Sequence, residues 1–572
     1  MLYKGIPAAP GIGIGTAFVI NDTEFCTVKR NIAKEDIPSE TERFKKALNE
    51  IRSELEKTKK KAEKLLGKKH VKLFDAYLFV IDDPMLKDDV LSKIVSDRVN
   101  AEYALHEVLN KNLKAFDKIK DEYFKERGRD ILDVARRVLK YLSGAHKKKI
   151  ISVPENSIVF AANLTPTDAI AIKEDGIIGF AINMGGKTSH STIMARALEI
   201  PAVVGMNDIT QHVHDGDITI IDGIEGVVIA NPDKDTLENY KRRRNMFLAE
   251  REELILIRDL PSVTKDGKKV VVSANIEIPE EVKSVIAYGG EGIGLFRTEY
   301  LYLNRKGFPS EEEQYESYRS VAEKMFPNPI VIRTMDLGGD RFLSYFHLNE
   351  EKNPFLGLRA IRFCLKHPDI FKIQLRAILR ASSLGNIKMM FPMISGVGEL
   401  RDVKKILEET KQELKQKGVP YDEHMEVGIM IEIPSAALTV DVLAKESDFL
   451  SIGTNDLIQY TLAVDRVNEY VAQLYEPLHL SILRLLKNII DAGKSAGKWV
   501  SMCGEMAGEP SYTEILLGLG LEHFSVAPSS LLRVKNEVRK ANYSDAAKTT
   551  DEILNEADRD LLVKKVKQKR IY

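Results

Sequence analysis

Cysteine is scarce in this chain, with three in 572 residues, Cys26, Cys364 and Cys503. Their odd number and wide spacing argue against a disulfide framework or a zinc knuckle and suit a reducing compartment. An excess of one charge is missing as well, because 84 Lys and Arg face 85 Asp and Glu and leave a formal charge of -1. No global field draws nucleic acid or a membrane surface, so partners have to be sought in local sites. No apolar stretch approaches bilayer-spanning length, and the opening Met-Leu-Tyr-Lys-Gly-Ile-Pro-Ala-Ala-Pro-Gly has no apolar signal segment. The expectation is a cytoplasmic protein that neither inserts into membranes nor binds nucleic acid. A dinucleotide fingerprint is absent too: Gly11-Ile-Gly-Ile-Gly15 and Gly289-Gly-Glu-Gly-Ile-Gly294 lack the G-x-G-x-x-G order and read as turns.

The chain is too long for one core, so several domains are expected. Residues 33–143 are highly charged and carry helical apolar spacing, as in Phe44, Leu48, Ile51 and Leu55, which predicts a helical bundle with Lys59-Lys60-Lys61 on a solvated face. Short β-branched runs with glycine turns follow, in Ile150-Ile151-Ser-Val, Ser157-Ile-Val-Phe, Gly216-Asp-Ile-Thr-Ile-Ile and Gly226-Val-Val-Ile. With the opening strand they predict an α/β domain over 1–20 and 144–232, into which the bundle is inserted. Residues 233–257 read as one long polar helix, a semi-rigid connector within a linker over 233–261. From 262 to 572, eight apolar runs alternate with helical stretches: 270–276, 292–299, 329–336, 387–394, 426–432, 449–456, 499–505 and 523–529. Parallel strands need helical crossovers and bury both faces, so this pattern predicts a (β/α)8 barrel. The fold class is therefore multidomain α/β ending in a TIM barrel.

Two constellations carry chemistry. Gly185-Gly186-Lys187-Thr188-Ser189-His190 nearly spells a phosphate-binding loop, but Ala181 stands where the first glycine is required. Ser191-Thr-Ile-Met-Ala-Arg196 reads as the start of a helix whose amides can cradle phosphate, and the residue presented there is a histidine. Neutral imidazole is a good nucleophile toward phosphorus, and Thr188 can fix its tautomer. The second constellation lies at the carboxyl ends of the barrel runs, with Arg297-Thr-Glu299, Arg333-Thr-Met-Asp336, Glu432, Asn455-Asp456 and Cys503-Gly-Glu505. Barrel catalysis belongs at that rim. Glu432 and Asp456, from neighbouring strands, can share one hard cation such as Mg²⁺. Arg297, Arg333, Arg359 and Arg466 suit a phosphate and a carboxylate, and Asn455 adds a neutral donor, so the inventory fits a phosphorylated small carboxylic acid. Spacing leaves open whether Cys503 is a buried apolar residue or a proton donor.

Together these segments resemble enzyme I of the bacterial sugar phosphotransferase system, the phosphoenolpyruvate-protein phosphotransferases. The resemblance spans essentially the whole chain and rests on Gly-Gly-Lys-Thr-Ser-His190-Ser-Thr-Ile-Met-Ala-Arg, Gly294-Leu-Phe-Arg-Thr-Glu-Tyr-Leu-Tyr, Arg333-Thr-Met-Asp-Leu-Gly-Gly-Asp, Asn353-Pro-Phe-Leu-Gly-Leu-Arg-Ala-Ile-Arg, Gly453-Thr-Asn-Asp-Leu-Ile-Gln-Tyr-Thr-Leu-Ala-Val-Asp-Arg and Met502-Cys-Gly-Glu. It implies that phosphoenolpyruvate phosphorylates His190 with Mg²⁺, that pyruvate is released, and that the group passes to a histidine of the carrier HPr. It implies that Arg297, Arg333, Asn455 and Arg466 hold phosphoenolpyruvate, that Glu432 and Asp456 hold Mg²⁺, and that Cys503 protonates the enolate. It also implies an HPr-docking helical subdomain in an N-terminal phosphohistidine domain, and a homodimer formed through the barrel.

The chain departs from the family pattern at Lys187 and Arg341, where charge is kept, and at Val467, where glycine is common beside Arg466. A dikinase or phosphoenolpyruvate synthase would share these motifs but needs a large ATP-binding domain that no segment supplies. A nitrogen-regulatory relative would carry an additional sensory domain, and a bare-barrel aldolase or lyase would leave His190 without purpose. One histidine has two partners to serve, so the 233–257 helix and its ends are expected to act as a hinge. Phe79, Val80, Asp82 and Asp83 combine apolar and acidic groups and are candidates for carrier docking.

Overall fold

A computed structural model of the chain describes residues 1–20, 28–66, 77–81, 84–116, 131, 134–143, 153–164, 176–185, 192, 195, 200–302, 307–338, 351–466, 468 and 470–555. The chain divides into two compact units, Met1–Arg251 and Glu252–Tyr572.

The first unit is built on β1 (Leu2–Lys4), β2 (Ile6–Ala9), β3 (Ile12–Ile20), β4 (Ser157–Ala161), β5 (Gly179–Ile182), β6 (Ala202–Val204), β7 (Ile218–Asp222) and β8 (Val227–Ala230). They form one sheet in the order β1-β8-β7-β3-β4-β5-β6-β2. The β3-β4-β5-β6 stretch is parallel and the remaining pairs are antiparallel. Between β3 and β4 the chain runs through helices Ile37–Leu66, Pro84–Asp97 and Ala101–Phe116. Phe44, Leu48, Ile51 and Leu55 are all buried, as their 3- and 4-residue spacing requires, and share a core with Val159, Phe180 and Val204 of the sheet. Inside that bundle Arg43 bridges Glu40 and Glu102, each at 2.6 Å. Of the strand runs expected from sequence, the three beginning at 157, 216 and 226 contain strands, whereas Val153 lies in none and Ile150-Ile151 fall outside the described residues.

The polar helix is present as Lys234–Leu256. Its first half packs on the sheet, because Leu237 and Tyr240 join Ile12, Ile220, Val227 and Ile229. Arg243 reaches the buried Asp222 at 3.0 Å and Glu225 at 2.8 Å. That half of the helix is therefore part of the first unit's core.

In the second unit the strands are β9 (Val271–Ile276), β10 (Ile293–Phe296), β11 (Ile330–Arg333), β12 (Ile387–Phe391), β13 (Val427–Ile431), β14 (Phe449–Ile452), β15 (Trp499–Met502) and β16 (His523–Val526). They close into a barrel in chain order with every pair parallel. Each lies inside one of the eight apolar runs. Except at β9, the runs extend past the strands at the carboxyl end, because the rim residues follow in loops or in the next helix. Asn455 and Asp456 accordingly lie in helix Thr454–Leu462, one turn beyond β14. Leu295, Val331, Met390, Met430, Phe449 and Cys503 form an apolar cluster distinct from the shell that packs on the helices. Residue 428 must be glycine for this packing, since a Cβ there would stand 2.5 Å from the Phe449 ring.

Candidate active site

Closure of the barrel brings the residues that follow its strands together at one rim. Arg333 ends β11 and is 8% exposed. Its Nη2 donates to Glu299 at 3.1 Å and its Nη1 lies 3.0 Å from Asp336. Asp336 also receives Arg359 at 2.8 Å, and the same Arg359 nitrogen reaches Asp456 at 3.2 Å. Burial works against ionisation of Asp336, but the charges of Arg333 and Arg359 outweigh it and hold the carboxyl below its ordinary range.

Glu432 stands just past β13, 2% exposed, and accepts the Met393 amide at 2.6 Å. Burial, reinforced by the charges of Asp456 and Asp336, raises its pKa. Glu299, Asp336, Glu432 and Asp456 thus face two buried guanidinium groups, Arg333 and Arg359. Four carboxylates against two guanidinium groups keep a proton on Glu432, and a bound divalent cation would displace it, so the donor set fits one. Glu432 and Asp456 are the residues that would hold it. Among the described residues no three His, Cys, Asp or Glu side chains form a ready-made metal cage.

Cys503 follows β15, is buried, and accepts the Ser451 hydroxyl at 3.4 Å. Burial pushes its thiol above the ordinary range, against the pull of Ser451, Arg333 and Arg297. The thiol therefore keeps its proton at neutral pH, as a general acid must. Asn275 donates to the Cys503 carbonyl at 2.9 Å and fixes the turn.

Arg297 follows β10, pairs with Glu277 at 2.6 Å, and is more open than Arg333. The Nε atoms of both Arg297 and Arg333 are buried and lack a partner among the described residues. Asn455 exchanges two hydrogen bonds with Glu505, accepting its amide at 2.9 Å and donating to its carboxylate at 3.2 Å. Arg466 stands 3.7 Å from the same Glu505 and is the most loosely held of the four arginines. Arg333, Arg359, Glu432, Asp456 and Cys503 thus form one cluster, with Arg297 acting on Cys503, while Asn455 and Arg466 gather at Glu505. His190 and Gly186 through Ser189 lie outside the described residues, as do Asp82 and Asp83. Phe79 is 59% exposed and Val80 is buried.

Several contributors lie outside the site residues read from the sequence. Tyr460, one helical turn after Asp456, accepts from Arg359 at 3.2 Å and donates to the Phe355 carbonyl at 2.6 Å. Burial raises its pKa to about 12. Gln374 accepts the Met335 amide at 2.9 Å and donates to Thr298 at 3.1 Å, which holds the loop bearing Asp336. Met393 presents its amide to Glu432 from φ +58°, a strained conformation for a side-chain-bearing residue. The one legible hint was the i, i+4 spacing of Asp456 and Tyr460 on a helix.

Family models match along the chain: PEP-utilising enzyme, N-terminal, over residues 4–127; PEP-utilising enzyme, mobile domain, over 153–226; and PEP-utilising enzyme, PEP-binding domain, over 251–543. The phosphoenolpyruvate-protein phosphotransferase of Priestia megaterium is 44% identical over 564 residues, covering 99% of this chain and 98% of that protein. That of Listeria monocytogenes is 44% identical over 565 residues, covering 99% and 98%. That of Bacillus subtilis is 44% identical over 565 residues, covering 99% of each. Among the described residues no helix is long and apolar enough to cross a membrane. With the closed barrel and its charged rim, similarity of this extent makes the chain a phosphotransferase that belongs to the enzyme I family of phosphoenolpyruvate-protein phosphotransferases.

Proposed function

We propose that the chain transfers the phosphoryl group of phosphoenolpyruvate to His190 and then to a histidine of an HPr-type carrier in the cytoplasm. The observation that carries this reading is the pair of buried guanidinium Nε donors without partners, Arg297 and Arg333, beside a protonated thiol and surplus carboxylates. Arg297, Arg333 and Arg359 meet phosphate and carboxylate, with Asn455 on helix Thr454–Leu462 and Arg466 beyond that helix completing the set. Glu432 and Asp456 would hold Mg²⁺, which would supply charge neutralisation for the transferring group.

A ring nitrogen of His190 attacks phosphorus, the N–P bond forms, and the P–O bond to the enol oxygen breaks. The electron pair of that bond remains on the enolate. Cys503 gives its proton to the methylene carbon, which completes pyruvate, and the thiolate recovers a proton from solvent. The guanidinium groups stabilise the charge that develops while burial excludes water. A homodimer through the barrel, a phosphohistidine domain over 1–20 and 144–232, and carrier docking on the 33–143 helices complete the proposal. Isotopically labelled phosphoenolpyruvate with Mg²⁺, followed by HPr, tests it: acid-labile, base-stable label appears on His190 and moves to HPr. Label that remains on the protein when HPr is added excludes the relay.

Tyr460 acts through Arg359, which it orients. Tyr460→Phe removes the hydroxyl from both Arg359 and the Phe355 carbonyl, a loss of about 1 kcal/mol in stability. Turnover is expected to fall about tenfold, with KM for phosphoenolpyruvate raised, because a displaced guanidinium misplaces the phosphate. Unchanged kcat and KM with the same thermal shift would reduce Tyr460 to a structural tie.

A further inference from the structure

At the end of the barrel opposite the rim, a cavity of about 300 Å³ opens among Lys494, Lys498, Trp499, Glu522 and His523. We propose that it is a second ligand site, for a small multivalent oxyanion bearing phosphate or carboxylate groups. The inference is independent of the chemistry proposed at the rim.

Charge is the first argument. Lys494 and Lys268 both hold Glu522 Oε1, at 3.0 and 2.8 Å, so one carboxylate answers two ammonium groups. Lys498 is half-buried in the wall and carries no ion pair among the described residues. In the lining, Lys494 and Lys498 against Glu522 leave a surplus of one positive charge, and Lys268 outside it takes up part of the Glu522 charge, the opposite balance to that at the rim. Burial lowers the pKa of His523, which keeps its imidazole neutral at pH 7 and able to donate one ring N–H without adding charge.

Shape is the second argument. Gly520 at φ +98° forms part of the wall, and a Cβ there would stand 2.9 Å from Lys494 Nζ. A side chain at that position would push the ammonium from its place. The walls also restrict the ligand's chemistry. One face of the Trp499 indole is covered by Phe449, at 4.3 Å and 8° between planes, and Lys388 Nζ lies 4.8 Å from the ring. Its Nε1 donates to Glu426 at 3.1 Å. The indole is a fixed wall rather than a stacking platform, so a nucleobase gains little and a compact anion is favoured.

Trp499 is the single tryptophan of the chain, so intrinsic fluorescence reports on this cavity. The full-length protein is titrated with inorganic phosphate and, separately, with malonate, each against sodium chloride at matched ionic strength. A saturable change with phosphate or malonate, absent with chloride, is expected, and the two arms decide which anion chemistry the site takes. The double variant Lys494→Met, Lys498→Met should bind at least about tenfold more weakly at unchanged thermal stability. Arg297→Ala, at the rim, should leave the response intact. A response equal to that of chloride, one that survives in the double variant, or one lost in Arg297→Ala overturns the proposal. Calorimetry run alongside guards against a ligand that leaves the indole unperturbed: no saturable, lysine-dependent heat also overturns it.

Discussion

Replacing Arg333 by Met is expected to lower pyruvate formation roughly a thousandfold and to destabilise the barrel by about 3 kcal/mol. The two effects have separate origins. Arg333 is the common partner of Glu299 and Asp336, so its removal leaves buried carboxylate charge that Arg359 answers only in part. An unpaired buried charge is costly because water is not there to solvate it. The loss of turnover comes from the donors: the unpartnered Nε and the terminal nitrogens together offer a fork to a phosphate oxygen pair. Arg333→Lys should recover most of the stability and little of the rate, since a point charge replaces the fork. Thermal unfolding beside a pyruvate assay checks both, and a lysine variant with near-normal turnover would contradict the bidentate role.

Glu432→Gln is expected to move stability the other way. Burial and the neighbouring Asp456 and Asp336 raise the Glu432 pKa above that of an exposed glutamate. A carboxyl raised in the folded state binds a proton that the unfolded chain has already lost. Its contribution is therefore complete below the ordinary glutamate range and disappears as pH rises through the raised value. At neutral pH, without divalent cation, the carboxylate is a liability. Gln keeps the oxygen that accepts the Met393 amide and removes the carboxyl that must take up a proton to stay buried, so the metal-free variant should gain about 1 kcal/mol. Added Mg²⁺ should raise the melting temperature of the unaltered protein and leave that of the variant nearly still. Turnover should drop by roughly a thousandfold in the variant. Equal stabilisation of both proteins by Mg²⁺ would remove Glu432 from the cation site.

These effects rest on a site that was only partly visible in the chain. The barrel was legible because strands buried on both faces, such as Val427–Ile431 and Phe449–Ile452, must be written as unbroken apolar runs. The charged residues just past them stood out for the same reason, a sharp change from apolar to ionic. What the sequence could not show is how these charges share partners. Arg359 serves both Asp336 and Asp456, and Glu299 serves both Arg333 and the Asp336 amide at 3.0 Å. Such pairings depend on which side chains the barrel's closure brings together. Tyr460 and Gln374 stayed hidden because they act over separations of about a hundred and of tens of residues, through a carbonyl or an amide that any sequence supplies. The hinge expected around residues 233–257 needs narrowing. Leu237, Tyr240 and Arg243 tie the start of that helix to the first unit's sheet, which confines any pivot to the part beyond Arg243.

The most direct test of the account is the fate of phosphorus at one histidine. The protein and its His190→Ala variant are incubated with labelled phosphoenolpyruvate and Mg²⁺, quenched in base, and mapped by peptide. Label on the peptide containing His190 in the unaltered protein, and none in the variant, is the predicted result. A variant that takes up the same base-stable label would contradict it.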